Sequence, residues 1–152
     1  MDNRYDALKL ENQLCFPLYA AARQVVNLYN PVFKPLGITY TQYIVFLVLW
    51  EKDDITVGEL CRKLYLNNGT LTPLLKRMEK DGYLTRIRQK DDERVVLLRL
   101  TDQGRALRER AVGIPGQVAG CVHLPAEKAK QLYQLLYELL DAVEPGEADK
   151  EL

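Results

Sequence analysis

The residues best suited to chemistry lie in the stretch QLCFPLYAAARQVVNLY, from Gln13 to Tyr29. Cys15 and Tyr19 are four residues apart and therefore neighbours on one face of a helix. Tyrosine hydroxyls that donate hydrogen bonds to a thiolate favour the charged form, and so does the positive end of a helix dipole. Because Pro17 cannot donate to the carbonyl of Gln13, the regular helix is expected to begin, or to kink, near Cys15. The pattern predicts a cysteine biased toward the thiolate form; a buried packing cysteine is the simpler alternative.

Two further tyrosines bear on this thiol only if the protein is a dimer. Tyr29 lies fourteen residues beyond Cys15, and Tyr40 opens the next predicted helix. Fourteen residues of straight helix span about 21 Å, so Tyr29 cannot touch the cysteine of its own chain. An antiparallel copy of the helix would bring the two together, and Tyr40 is placed to complete such a pocket.

The remaining cysteines and the single histidine do not suggest a metal site or a catalytic triad. Cys61 and Cys121 are far apart in sequence, no close cysteine pair is present, and His123 is the only histidine. No Gly-rich phosphate loop appears either. We therefore expect no metal, no cofactor and no enzyme activity, with Cys61 as buried packing and His123 as a turn residue.

Charge is balanced overall but unevenly distributed along the 152 residues. The segment 62–99 holds ten Lys or Arg against five Asp or Glu, whereas the remainder has eleven against sixteen. A basic segment in an otherwise acidic chain indicates an anionic partner. The charged N-terminus is unlike a secretory signal and no apolar run is long enough to cross a bilayer. These features predict a single-domain cytoplasmic protein that does not bind a membrane.

The elements that must position these residues are indicated by periodicity and capping. Apolar residues recur at three- and four-residue steps through a first helix that ends near Pro31 to Pro35, and through a last helix that begins near Pro125. Capping boxes at Thr39 and Thr56 open two more helices. The helix after Thr39, containing YIVFLVLW, is apolar on every side, which predicts burial at the centre of the domain.

The middle of the chain adds a fourth helix and a hairpin. The turn 67–69 precedes a helix in which Pro73 is expected near the first turn and Gly82 just past the last. The strand-like runs YLTRIRQ and RVVLLRL are joined by the charged tip KDDE, which predicts a β-hairpin. Thr101 then begins a fifth helix that ends or bends around Pro115.

A short helix, a tight turn, a second helix and a basic hairpin form the layout of a winged helix-turn-helix. In that motif the second helix enters the major groove, and basic side chains neutralise phosphates or enter the minor groove. A solvated basic face is the alternative for any one residue, but the ordered combination favours DNA. The candidate DNA-binding residues are Asn68, Thr70, Thr72, Lys76, Arg77, Arg86, Arg88, Lys90 and Arg94.

The run NNGTLTPLLKRMEKDGYLTRIRQKDDERVVLLRLTDQG resembles the recognition helix and wing of MarR-type transcriptional regulators. The wing signature of that family, an aspartate with an arginine shortly after it, is matched by Asp91 or Asp92 with Arg94, so Asp91 joins the candidate residues. The resemblance extends from about Leu10 to Val143. It implies a homodimer held by its terminal helices and bound to a palindromic double-stranded operator.

The expected fold is mainly α with a small β-wing. The last helix carries an apolar stripe that one small domain could hardly cover by itself, which agrees with a two-fold dimer. The expected divisions are dimerisation helices at 8–35 and 102–144, a winged helix-turn-helix at 39–100, and a flexible tail at 145–152.

The stretches LCFPLYAAAR, LYNPVFKPLGITYTQY and GTLTPLLKRMEKDGY resemble the organic hydroperoxide resistance (OhrR-like) branch of the family. The resemblance implies that an organic hydroperoxide oxidises Cys15 to a sulfenic acid and that the operator is then released. Tyr29 and Tyr40 stand at matching tyrosine positions, whereas Pro17 replaces an expected small residue. In two-cysteine members a resolving thiol lies about as far downstream as Cys121, which makes an intersubunit disulfide one possible end point.

Other functions fit the same residues. The pocket could bind a phenolic or other apolar ligand without redox chemistry, or the thiol could serve a general redox regulator. A thiol peroxidase would need a thioredoxin-like α/β framework that this pattern does not predict. A winged-helix protein-interaction module would lack the steep salt dependence of DNA binding.

Overall fold

The computed structural model describes residues 3–92 and 94–143, and within them the chain is predominantly helical with one small sheet. The flexible tail expected at 145–152 and Glu93 of the hairpin tip lie outside the described residues. The α-helices are α1 (Cys15–Asn27), α2 (Asn30–Phe33), α3 (Tyr40–Glu51), α4 (Val57–Leu64), α5 (Asn68–Lys80), α6 (Asp102–Ala111), α7 (Ile114–Ala119) and α8 (Ala126–Ala142), and short 3-10 helices span Asn3–Leu8, Leu10–Asn12 and Lys34–Leu36. The strands are β1 (Ile55–Thr56), β2 (Leu84–Arg88) and β3 (Val96–Leu100). The predicted fold class, mainly α with a β-wing, is confirmed.

Two predicted capping boxes fix the starts of α3 and α4. Thr39 Oγ1 accepts from the backbone N–H of Gln42 at 3.3 Å, and Gln42 Oε1 accepts from the Thr39 N–H at 2.9 Å. Thr56 and Glu59 repeat this reciprocal pair at 3.1 and 2.8 Å. Each box satisfies two donors that a helix start otherwise leaves unpaired.

The helix α3 lies at the centre of the core, as its sequence predicted. Six of its twelve residues are buried, and it packs against α4, α5 and α6. Among the described residues no single helix has the length and hydropathy to cross a membrane. The pair Cys15–Leu36 and Tyr40–Glu51 passes that test by length and composition, but it is bent by 77°.

The sheet is antiparallel and has three strands in the order β1-β3-β2. The predicted hairpin is confirmed, with Leu84 opposite Leu100 and Arg88 opposite Val96. The short β1, which pairs Ile55 with Leu98, was not predicted. Two residues are too few to show an alternating pattern, so only the pairing with β3 reveals the strand.

The first helix is shorter than expected. Cys15 is its first residue, as Pro17 indicated, but α1 ends at Asn27 and a turn separates it from α2. The expectation of one straight helix as far as Pro31 was therefore wrong. Pro31 has no N–H to donate to the carbonyl of Asn27, so the helical ladder cannot continue there unbroken.

The start of α5 also differs from expectation. Asn67 caps the helix by accepting from the N–H of Thr70 at 2.9 Å, so α5 begins at Asn68 rather than after the turn. Pro73 is consequently in the second turn and not the first, where it removes one donor from the helical ladder. Gly82, with φ of 82°, follows the end of the helix in the left-handed conformation expected of it.

The terminal helices expose their apolar stripes in the single chain. Neither α1 nor α8 contains a buried residue. Leu14 is 77% exposed and Leu135 is 60% exposed. Soluble single chains rarely leave apolar surface uncovered to this extent. The boundaries of the dimerisation helices remain a prediction that fits this exposure.

Candidate nucleic-acid interface and redox site

A groove of about 500 Å³ lies between the start of α4, the part of α5 from Asn68 to Lys76, and the wing formed by β2 and β3. Four of the residues that line it are Lys or Arg and none is acidic, so the groove is suited to a polyanion. Six of them are among the predicted DNA-binding residues. The lining residues are Thr56, Val57, Gly58, Asn68, Thr72, Leu75, Lys76, Arg86, Arg88, Arg94, Val95 and Val96.

Four predicted DNA-binding residues lie outside this lining. Thr70 is exposed in the first turn of α5, where its backbone N–H is taken by the Asn67 cap. Arg77 is exposed further along α5, with its Nε 3.8 Å from Asp81. Lys90 and Asp91 are exposed at the tip of the wing.

The wing is joined to α5 by one residue pair that was not predicted. The backbone N–H and the Nε of Arg86 both donate to the carboxylate of Glu79, each at 2.9 Å. Partial burial raises the pKa of Glu79, but the hydrogen bonds and positive charge of Arg86 outweigh it, so the pKa is lowered overall. Arg86 therefore sets the position of the wing as well as lining the groove. A lone Glu and Arg seven residues apart give no sequence signal of this contact.

The aspartate that pairs with the wing arginine is Asp92. Its Oδ1 accepts from the backbone N–H of Arg94 at 3.0 Å and from the Nε at 3.1 Å. These side-chain and backbone bonds lower the pKa of Asp92. Of the two aspartates that matched the signature, Asp91 makes no such pair and faces solvent.

An aromatic cluster joins the segment after α1 to the first turn of α3. The ring centres of Tyr29 and Tyr40 are 5.0 Å apart with an edge-on arrangement, and Phe33 stacks on Tyr29 at 5.2 Å. Tyr43 completes the cluster, 5.0 Å from Phe33. Burial, reinforced by the neighbouring Tyr29, raises the pKa of both Tyr40 and Tyr43. The predicted pair Tyr29 and Tyr40 is thus brought together.

Two members of this cluster were missed in the sequence. Tyr43 lies three residues after Tyr40, a spacing that places both on one helix face, so it could have been found. Phe33 lies four residues after Tyr29, and its N–H donates to the Tyr29 carbonyl at 2.9 Å, so the same helical spacing could have pointed to it.

Cys15 lies apart from the aromatic cluster within one chain. Its thiol is free and exposed at the first residue of α1. Tyr19 is also exposed, and the guanidinium of Arg23 lies 5.4 Å from the centre of its ring. None of the ring contacts or hydrogen bonds found between described residues joins Cys15 to Tyr19, Tyr29 or Tyr40. A single chain therefore does not assemble the predicted four-residue set.

The other two cysteines differ in their surroundings. Cys61 is 1% exposed within the core, which confirms the prediction of buried packing. Cys121 is exposed in the segment between α7 and α8, where its thiol donates to the carbonyl of Gln117 at 3.5 Å. His123 lies in the same segment, with Nδ1 3.2 Å from the carbonyl oxygen of Cys121.

The known proteins that this chain resembles are transcriptional regulators. Residues 27–110 match the family of transcriptional regulators SarA/Rot. The organic hydroperoxide resistance transcriptional regulator of Bacillus subtilis is 49% identical over 94% of this chain and 97% of its own length. The HTH-type transcriptional regulator MgrA of Staphylococcus aureus is 38% identical over 90% of this chain and 94% of its own.

A solved structure of AbfR of Staphylococcus epidermidis extends the likeness to three dimensions. The reduced protein bound to DNA superposes with a TM-score of 0.72 and 36% identity, covering 91% of this chain and 96% of AbfR. A disulfide-formed structure of AbfR is also similar, with a TM-score of 0.62 over 90% of this chain and 96% of AbfR. With the winged helix-turn-helix, the basic groove and relatives that span nearly its whole length, the chain belongs to the MarR-type family of winged-helix transcriptional regulators, in its organic hydroperoxide resistance branch.

Proposed function

We propose that this chain is a dimeric DNA-binding repressor, not an enzyme, that acts in the cytoplasm. Oxidation of Cys15 by an organic hydroperoxide releases it from a palindromic operator. The observation that carries the proposal is the exposed, free thiol of Cys15 at the first residue of α1, on an apolar helix that a single chain leaves uncovered. Nearly full-length relatedness to an organic hydroperoxide resistance regulator supports the same effector.

DNA is contacted by the start of α5 and by the wing. Asn68, Thr70 and Thr72 occupy the first two turns of α5, where a recognition helix presents polar groups to base edges in the major groove. The remaining candidates lie around these three residues, and they bind phosphates or the adjacent minor groove. They are Lys76, Arg77, Arg86, Arg88, Lys90 and Arg94, with Asp92 orienting Arg94.

The dimer is formed by the terminal helices. The apolar stripes of α1 and α8 are exposed in one chain, and burying apolar surface contributes about 25 cal/mol per Å². An isologous pair would cover these stripes and place two recognition helices one DNA turn apart. In the same arrangement the partner subunit supplies the aromatic cluster of Tyr29 and Tyr40 to Cys15.

The sensing step transfers one oxygen atom. The Cys15 thiolate attacks the terminal oxygen of the hydroperoxide, so that an S–O bond forms while the O–O bond breaks. The alkoxide that leaves takes a proton to become an alcohol, and the sulfur becomes a sulfenic acid. Tyr29 and Tyr40 are phenols able to donate hydrogen bonds to the departing oxygen, and Tyr19 lies one turn from the thiol on α1.

Cys121 is the candidate resolving residue. Its thiol, from the partner subunit, would attack the sulfur of the Cys15 sulfenic acid, forming an S–S bond and releasing water. Its exposure between α7 and α8 leaves it accessible for this step. Oxidation of Cys15 would itself move the recognition helices relative to their half-sites, and the disulfide between the subunits would follow as a second step.

The test is operator binding before and after addition of cumene hydroperoxide. A duplex recovered by selection from a random library serves as the operator, and binding is followed by fluorescence anisotropy. We expect wild type to release the duplex, Cys15→Ser to remain bound, and Cys121→Ser to release it without an intersubunit disulfide. Release of Cys15→Ser at the wild-type peroxide concentration would contradict the assignment of Cys15. Failure of the reduced wild-type protein to bind any duplex would contradict the whole proposal.

A further inference from the structure

A thiol in the core contacts the recognition helix at its first residue. Cys61 in α4 donates to the side-chain carbonyl of Asn68 in α5, with Sγ 3.5 Å from Oδ1. The thiol is 1% exposed, whereas Asn68 is exposed and lines the basic groove. A buried atom therefore holds one end of a side chain whose other end faces the proposed DNA surface.

The chemistry of the thiol sets the direction of this hydrogen bond. Burial raises the pKa of Cys61 above its ordinary value, although the charge of Arg62 opposes this in part. The sulfur therefore keeps its proton, and this S–H is a weak donor whose partner is the side-chain oxygen of Asn68. Asn68 accordingly turns its carbonyl oxygen toward the sulfur. Its two amide N–H donors are then left for the groove.

We propose that Cys61 is a positioning residue for operator recognition, which holds the carboxamide of Asn68 with its N–H donors directed at a hydrogen-bond acceptor on a base edge. The proposal rests on the proposed DNA-binding function and adds a specificity determinant to it. Acceptors of this kind in the major groove are the O6 and N7 of guanine, the N7 of adenine and the O4 of thymine. Without the thiol, Asn68 could present either end of its amide and would discriminate less between acceptors and donors.

The neighbouring asparagine shows why the thiol is needed. The side chain of Asn67 is fixed by the helix itself, because its Oδ1 accepts from the N–H of Thr70. Asn68 is already inside the helix and has no capping role. Its orientation must come from another element, and α4 supplies it through Cys61.

The expected effect is modest and can be separated from loss of packing. Immobilising one flexible side chain in advance contributes about 0.5–1.5 kcal/mol to binding, which corresponds to roughly two- to tenfold in affinity. Cys61→Ala removes the donor and leaves a small cavity, whereas Cys61→Val removes the donor and fills the space. A loss of affinity that both variants share, and that disappears when residue 68 is alanine, would trace to the hydrogen bond.

The decisive experiment is a double-mutant cycle on the selected duplex. Affinities of wild type, Cys61→Ala, Cys61→Val, Asn68→Ala and the two double variants are measured under reducing conditions. We expect each Cys61 substitution to weaken binding about two- to tenfold when Asn68 is present and to have almost no effect when residue 68 is alanine. Duplexes altered one base pair at a time should show the lost discrimination at a single step in each half-site.

Several outcomes would overturn the positioning role. Equal losses in the Asn68 and alanine backgrounds would mean that Cys61 acts through general packing. An unchanged affinity of Asn68→Ala would mean that the asparagine does not contact DNA. In both cases wild type would still bind the duplex, so the proposed function would stand while this inference failed.

A measurement on the free protein covers the case in which the Cys61 variants fold poorly. The order parameter of the Asn68 side-chain NH₂ group is measured by ¹⁵N relaxation, with the capping residue Asn67 as the internal reference. We expect the two groups to be similarly ordered in wild type. An Asn68 NH₂ group as mobile as that of an unbonded surface asparagine would contradict the proposal without any variant.

Discussion

Gly104→Ala should destabilise the protein strongly, because Gly104, in the first turn of α6, packs against the backbone of Tyr83 with no space for a side chain. A Cβ added there would lie about 1 Å inside ordinary contact with the carbonyl oxygen of Tyr83, and 3.0 Å from Leu100 Cδ2. The obstructing carbonyl is held in place, since it accepts from the N–H of Thr101 at 3.1 Å. The far side of Gly104 is also fixed, because its own carbonyl accepts from the indole N–H of Trp50 at 2.9 Å.

The size of the effect follows from these contacts. Overpacking a rigid site costs about 1–3 kcal/mol, and loss of the hydrogen bond from Thr101 would add about 1 kcal/mol. We therefore expect Gly104→Ala to lower the free energy of unfolding by about 2–4 kcal/mol. At about 2–4 °C per kcal/mol for a chain of this size, Tm should fall by roughly 5–15 °C.

The assay is thermal unfolding followed by circular dichroism, with all proteins at one concentration because a dimer's Tm depends on it. Gly116→Ala in α7 is the matched control, since nothing lies within 4 Å of a Cβ at that position. Alanine is favoured over glycine inside a helix by about 1 kcal/mol, so this control should melt slightly above wild type. A Tm of Gly104→Ala within about 2 °C of wild type would refute the reasoning and mean that α6 shifts freely against the wing.

Two further predictions concern the wing and the dimer. Glu79→Gln removes the carboxylate that accepts hydrogen bonds from Arg86. Because the pKa of Glu79 is lowered in the folded protein, this carboxylate stabilises the fold fully above its ordinary pKa of 4.5, and the contribution is lost as the pH falls below that value. In urea unfolding, the free energy of unfolding of Glu79→Gln should be about 0.5–1 kcal/mol below that of wild type at neutral pH, and the difference should shrink with acidification. A difference that does not depend on pH would contradict this reasoning. Leu135→Lys on the exposed stripe of α8 should shift the protein toward monomer in analytical ultracentrifugation and weaken operator binding, whereas Gln134→Lys on the opposite face should do neither.

Interactions between residues close in the chain were already determined by the sequence. The capping boxes at Thr39 and Thr56 were predictable because each joins a side chain to a backbone group three residues away. The burial of α3 and the hairpin of β2 and β3 followed from hydrophobic period and from turn residues. The start of α1 at Cys15 followed from Pro17, because the N–H that proline lacks would have donated to the carbonyl four residues earlier.

Only the tertiary structure decided which distant side chains meet. The bonds from Arg86 to Glu79, the contact of Cys61 with Asn68 and the close approach of Gly104 to Tyr83 join separate elements whose relative placement no local pattern encodes. The aromatic cluster also joins two segments, since the ring centres of Tyr29 and of Tyr40 in α3 are 5.0 Å apart. Sequence therefore identified the helices and the wing, because these depend on backbone hydrogen bonding and hydrophobic period within one segment. Packing between segments determined how the recognition helix and the wing are held.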